Sequence, residues 1–126
     1  MHWLSSEIER VGKLAASRSP IFLGALRDLI AQLGARPGLR AAFAAHEGLI
    51  VAVAGDGPAA EALAAQAQGL LGASLHASAA LGLGDVQQLV VVTAQGKLAL
   101  LSVGPVVVGL LAPPHVSLAV ATASSA

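Results

Sequence analysis

Residues 62–84 read ALAAQAQGLLGASLHASAALGLG, a run without one Asp, Glu, Lys or Arg. The composition is that of a helix, and a helix on the surface of a globular protein normally keeps a charged face for water. What this segment carries on its far side therefore decides what kind of protein the chain is. On a wheel of 100° per residue, Leu63, Ala67, Leu70, Ser74, Ala77 and Leu81 fall on one side, flanked by Leu71 and Leu75. That side is expected to face a sheet. The opposite arc holds Ala62, Ala65, Gly69, Gly72, Ala73, His76 and Ala80. Small side chains let a second helix approach closely. Two glycines inside a helix cost about 1 kcal/mol each against alanine, which a close contact would offset.

Working outward, Asp56-Gly57-Pro58 starts this helix, and Gly82 and Gly84 mark its exit. Before it, LRAAFAA and LIVAVAG flank His46-Glu47-Gly48, the pattern of a β-hairpin over residues 39–55. After it, strands are expected over 86–93, 97–103 and 106–112, separated by Gln95-Gly96 and Gly104-Pro105 and stopped by Pro113-Pro114. The runs VVVT, LALLSV and VVVGLLA are continuously apolar, as in strands buried on both faces. Toward the N-terminus, Ser19 and Pro20 begin a helix whose apolar face is Phe22, Leu26, Leu29, Ile30 and Leu33, with Gly34 as its cap. A capping box at Ser6 and Glu9 begins an earlier helix over 5–17. The tail 115–126 reads as a short helix at most. The expected fold is α/β of the α+β type: a five-stranded, mostly antiparallel sheet with helices on both faces.

Composition narrows the function. The chain has 126 residues, enough for one domain, with zero formal net charge and only 11% charged residues. No bulk charge steers it toward nucleic acid. Beyond Glu47 the charged residues are Asp56, Glu61, Asp85 and Lys97, and none follows Lys97. Such a chain exposes apolar surface unless a partner covers it. Gly104-Pro105 and Gly109 divide the oiliest stretch into strand-sized pieces, so no membrane span is expected. There is no cysteine, which is compatible with the cytoplasmic location expected here.

Chemistry is sparse. His2, His46, His76 and His115 lack metal-ligand spacing. The glycines of AGDGP at 54–58 and GLGDV at 82–86 fit neither a phosphate loop nor a dinucleotide fingerprint. No serine has a nucleophile-elbow context. Carboxylates are too few for a convincing acid/base pair. Arg27, Arg36 and Arg40 read as a solvated basic face, and Trp3 as closing a small core. No catalytic, cofactor-binding or metal-binding residue is expected, and the chain is read as no enzyme.

Three segments together resemble the Roadblock / dynein light chain family, which includes bacterial gliding-motility regulators: HEGLIVA at 46–52, AAEALAAQAQGLL at 59–71, and GLGDVQQLVVVTAQGKLALLSVGPVVVGLLA at 82–112. The resemblance implies a single Roadblock-like domain over 19–126 preceded by a helical extension over 1–18. It implies one long helix on one sheet face and the terminal helices on the other. It also implies a homodimer in which the third strand pairs with its symmetry mate and the long helices lie side by side. Its interface would hold Ala62, Ala65, Gly69, Gly72, Ala73, His76, Val86, Gln88, Val90 and Val92. The implied function is a bacterial, non-catalytic scaffold that binds a small Ras-like GTPase and modulates its nucleotide state. Alternatives are a profilin-like or PAS-like ligand-sensing domain with a cavity between strands, and a purely structural adaptor.

Overall fold

The computed structural model describes residues 6–11, 20–55, 60–103 and 105–118. Its elements are helix α1 (Pro20–Gly34), strands β1 (Ala41–His46) and β2 (Leu49–Gly55), helix α2 (Ala60–Ala80), and strands β3 (Gln88–Val92), β4 (Lys97–Val103) and β5 (Val106–Ala112). Residues 6–11 form a helical segment carrying an Arg10–Glu7 ion pair at 2.8 Å. The remainder of the expected 5–17 helix, Trp3, and most of the 115–126 tail lie outside the described residues.

All pairings are antiparallel, and the strand order is β2-β1-β5-β4-β3. The strands at its centre, β1 and β5, are buried almost throughout. The β1–β2 connection is a two-residue turn with Glu47 at φ 52° and Gly48 at φ 79°. Two successive positive φ values match the right-handed strand twist, as in type I′ hairpins.

One sheet face packs on α1. Phe22, Leu26, Leu29, Ile30 and Leu33 are all buried there, as their helical spacing requires, against Ala42, Ala44, Ala99, Leu101, Val108 and Leu110. Val11 from the 6–11 segment belongs to the same cluster. The other face packs on α2 through Ala64, Ala67 and Leu71 against Phe43, Ala45, Leu100 and Val107. Phe43 and Gly109 are direct neighbours on β1 and β5. A Cβ at Gly109 would overlap Cε1 and Cζ of the Phe43 ring, so the glycine makes the space in which the ring lies.

Two expectations are corrected. The run VVVT is not buried on both faces: β3 is shorter than 86–93 and alternates between exposed and half-buried residues, because it is an edge strand. Helix α2 is also turned by roughly 60° from the expected orientation. Ala64, Ala67, Leu71 and Ser78 are its buried residues, while Leu70, Ala77 and Leu81 are exposed. The physical reason is volume. The Phe43 ring fills the space under the helix, and Ala64 and Ala67 let the backbone come down onto it. Ser78 is tolerated on the buried side because its hydroxyl donates to the Gly84 carbonyl at 2.5 Å.

Candidate interaction surface

The exposed face of α2 holds the small residues singled out in the sequence. Ala62, Ala65, Gly69, Gly72, Ala73 and His76 all lie in the open. A Cβ added at Gly69 or Gly72 would meet nothing within 4 Å. The surface is continuous in chemistry: it carries no charged side chain from Ala62 to Ala80.

The open edge of β3 lies on the same domain. Thr93 N donates to Gly96 O at 2.9 Å and Ser102 N donates to Gln87 O at 3.1 Å. Antiparallel ladders alternate bonded and non-bonded positions. Residues 87, 89, 91 and 93 therefore turn their backbone groups toward β4, and Gln88, Val90 and Val92 turn theirs outward. The same three carry exposed side chains, with Val90 44% and Val92 66% exposed. The edge offers unpaired backbone and apolar side chains together, the combination that invites another strand. Val86, by contrast, stands before the strand. It is half-buried and packs on the cluster under α2.

Sequence reasoning missed a set of leucines. Leu70 is 39%, Leu75 40%, and Leu81 and Leu83 each 73% exposed. The wheel placed Leu70 and Leu81 on the sheet side; the signal that could have corrected it is the stripe of small residues Ala64, Ala67 and Ser78, which suits close helix-on-sheet packing. Gln68 fixes the direction of the helix flanks, since its side chain lies against the β1–β2 turn at Gly48. The opposite flank, with Leu70, Ala77 and Leu81, therefore points away from β2 and toward the β3 side of the sheet.

A hollow of about 240 Å³ opens at the turn end of β3 and β4. Val91, Leu98 and Leu111 line it on the α2 face, with Arg40 and Gln95 at its margin. Lys97 nearby is occupied, its Nζ donating to Val116 O at 2.8 Å. Among the described residues, no group of three or more His, Asp or Glu could hold a metal ion, and no helix is long and apolar enough to cross a membrane.

Comparison with known proteins agrees with this architecture. The Roadblock/LC7 domain model matches residues 27–112. A Roadblock/LC7 domain from Streptomyces avermitilis is 29% identical, with a TM-score of 0.67 over 75% of this chain and 82% of that one. Myxococcus xanthus MglB is 18% identical with a TM-score of 0.69, covering 76% of this chain and 75% of its own. The gliding protein MglB from Thermus thermophilus is 19% identical with a TM-score of 0.64, over 72% and 73%. No match is found among curated proteins. The family model spans more than half of the sequence and contains the hairpin, α2 and all three later strands, so the chain belongs to the Roadblock/LC7 domain family.

Proposed function

We propose that this chain is a non-catalytic scaffold that forms a homodimer through β3 and α2, and that the dimer binds a small Ras-like GTPase and modulates its nucleotide state. One observation carries the reading. The open backbone of Gln88, Val90 and Val92 and the uncharged outer face of α2 are both exposed, and the leucine flank of α2 points toward that same edge. A strand edge this apolar is a hazard in a monomer and an interface in a dimer. The GTPase rests on the resemblance of the sequence to a family of binding platforms, and the likeness to two MglB proteins supports the fold on which that reading stands.

The first test is the absolute mass in solution by light scattering, for the wild type and for Gly69→Glu. Position 69 is open in the single chain, so the glutamate leaves the fold intact. The expected result is a wild-type dimer and a monomeric variant. A wild-type monomer at micromolar concentration removes the dimer from the proposal. The second test follows release and hydrolysis of a fluorescent guanine nucleotide on the Ras-like GTPases of the same genome. The wild-type dimer changes one of these rates and the monomeric variant does not. A dimer that leaves every such GTPase unaffected is a structural adaptor.

A further inference from the structure

Lys97 is the one Asp, Glu, Lys or Arg after Asp85, and the fold uses it on the backbone. Its Nζ donates to Val116 O at 2.8 Å, a bond between residues 19 apart in the chain. Lys97 is half-buried and has no carboxylate partner among the described residues. Its cross-strand neighbours are Val92 on β3 and Ala112 on β5, and Ala112 is the last residue of β5. Side chains two apart on a strand share a face, and Ala99 belongs to the cluster on the α1 side. The lysine therefore rises on the α1 face, where the chain leaves the sheet. A charged donor makes a hydrogen bond roughly twice as strong as a neutral one.

The segment after β5 folds back onto that same face. Pro113 and Pro114 have no backbone N–H, so the ladder cannot continue through them. Val116 N donates to Pro113 O at 3.2 Å, which turns the chain. Val116 is half-buried, and Leu118 packs against the cluster that holds Leu29, Ala99 and Leu110. Helix α1 lies over β1 and β2, so the β4 side of this face is covered from elsewhere. Outside α1 and the sheet, the described residues that join the cluster are Ile8, Val11, Leu39 and Leu118. The returning segment thus has two anchors of different kinds, a charged hydrogen bond at Val116 and an apolar side chain at Leu118.

We infer that residues 113–118 are a strap with Lys97 as its latch: the segment opens and closes on the α1 face as a unit, and its closed state depends on the charge of this one lysine. Opening parts no pair of the sheet, because the β5 pairings end at Ala112. Local openings of this kind lie well below global unfolding in free energy. Closed, the strap holds the ammonium on the Val116 carbonyl. Open, it leaves the place of Leu118 in the cluster bare and returns Nζ to solvent. Neutralising the ammonium releases the strap. Lys97 is in this sense a positioning residue for the C-terminal segment, and the device stands whether or not the chain forms the dimer proposed above.

The test uses the full-length chain as wild type, as Lys97→Met, which keeps an apolar stem and removes the donor, and as Lys97→Arg, which restores a charged donor. Hydrogen exchange read by mass spectrometry compares the peptide covering 113–118 with those covering β4 and β5. The segment should exchange about tenfold faster or more in Lys97→Met, with β4 and β5 unchanged, and Lys97→Arg should return it toward the wild type. A second readout is chemical. Lys13 and Lys97 are the only lysines, so acetylation by acetic anhydride reports access to Lys97 with Lys13 as internal reference. Leu118→Ala, which loosens the strap and leaves the latch in place, should raise the relative rate at Lys97 about fivefold. Equal exchange of 113–118 in the wild type and Lys97→Met overturns the latch. A Lys97 rate unmoved by Leu118→Ala overturns the strap. Faster exchange shared by β4 and β5 in Lys97→Met overturns both, since Lys97 then supports the sheet as a whole.

Discussion

Gly109→Ala tests how the core under α2 is built, and two opposed terms decide its outcome. In an ordinary strand, alanine is better than glycine by about 0.5–1 kcal/mol, because glycine loses more backbone freedom on folding. At this position the added Cβ overlaps Cε1 and Cζ of Phe43 and lies 2.9 Å from Cδ1. The ring is fully buried in the cluster that holds Ala64, Ala67, Leu71, Leu100 and Val107, so it has no free volume to enter. Overpacking of this kind costs about 1–3 kcal/mol, and a ring overlapped at three atoms belongs at the upper end. The net expectation is a loss of about 2 kcal/mol. For a domain of this size that is a fall in Tm of about 8 °C. Urea and thermal unfolding followed by far-ultraviolet circular dichroism would read it, at one fixed protein concentration because the proposed dimerisation would be linked to folding. The informative arm is the background. In Phe43→Leu the ring is gone, and adding Gly109→Ala should then cost nothing or stabilise slightly, giving a coupling of about 2 kcal/mol in the double-mutant cycle. An equal cost in both backgrounds, or a rise in Tm for Gly109→Ala alone, would refute the placement of Phe43 over Gly109.

Three further outcomes are expected. Glu47 holds φ 52° in the hairpin turn, so Glu47→Asn should relieve strain and stabilise by about 0.5–1 kcal/mol, read as a higher urea midpoint at unchanged slope. Gly69→Ala should stabilise a single chain by about 1 kcal/mol through helix propensity, whereas a helix-paired dimer turns the sign and dissociates more readily; unfolding measured across a hundredfold range of concentration separates the two. Val90→Lys on the open edge of β3 should abolish the dimer in light scattering. Val53→Lys on the other edge, where the valine is 52% exposed, should leave the mass unchanged, and the reverse pattern would move the interface to β2.

Much of the fold is legible in the sequence because its signals are local. β4 and β5 occupy the ranges bounded by Gln95-Gly96, Gly104-Pro105 and Pro113-Pro114, and the five apolar residues of α1 are buried as their spacing demands. The small-residue arc of α2 is exposed, as the wheel placed it. What local signals could not supply is long-range. The rotation of α2 depends on Phe43, a residue on a strand of the preceding hairpin, which no window within the helix contains. The shortening of β3 depends on strand order, because VVVT reads as a buried strand until the sheet is known to end there. The hollow beside β3 draws its lining from both ends of the chain's strand region, and only the folded sheet brings Arg40 near Gln95.

The sheet has two open edges, and both are apolar. β2 exposes Leu49 and Val53, and β3 exposes Val90 and Val92. Edge chemistry alone does not choose between them. The helix does. Gln68 anchors one flank of α2 beside the β1–β2 turn, which puts a polar side chain between the helix surface and the β2 end. The other flank presents Leu70, Ala77 and Leu81, and the connection that follows adds Leu83, all on the way to β3. Pairing at β2 would cover Leu49, Val53 and, on the Gln68 flank, Leu75, and would leave Leu70, Leu81 and Leu83 in water. Pairing at β3, as proposed, brings strand edge and leucine flank to the same two-fold axis. Each large apolar side chain newly covered contributes on the order of 1 kcal/mol after allowing for what the single chain already buries. The larger set of exposed apolar groups therefore favours β3 as the edge of the proposed dimer, and on that proposal the low charge of the chain belongs to an interface and not to a free surface.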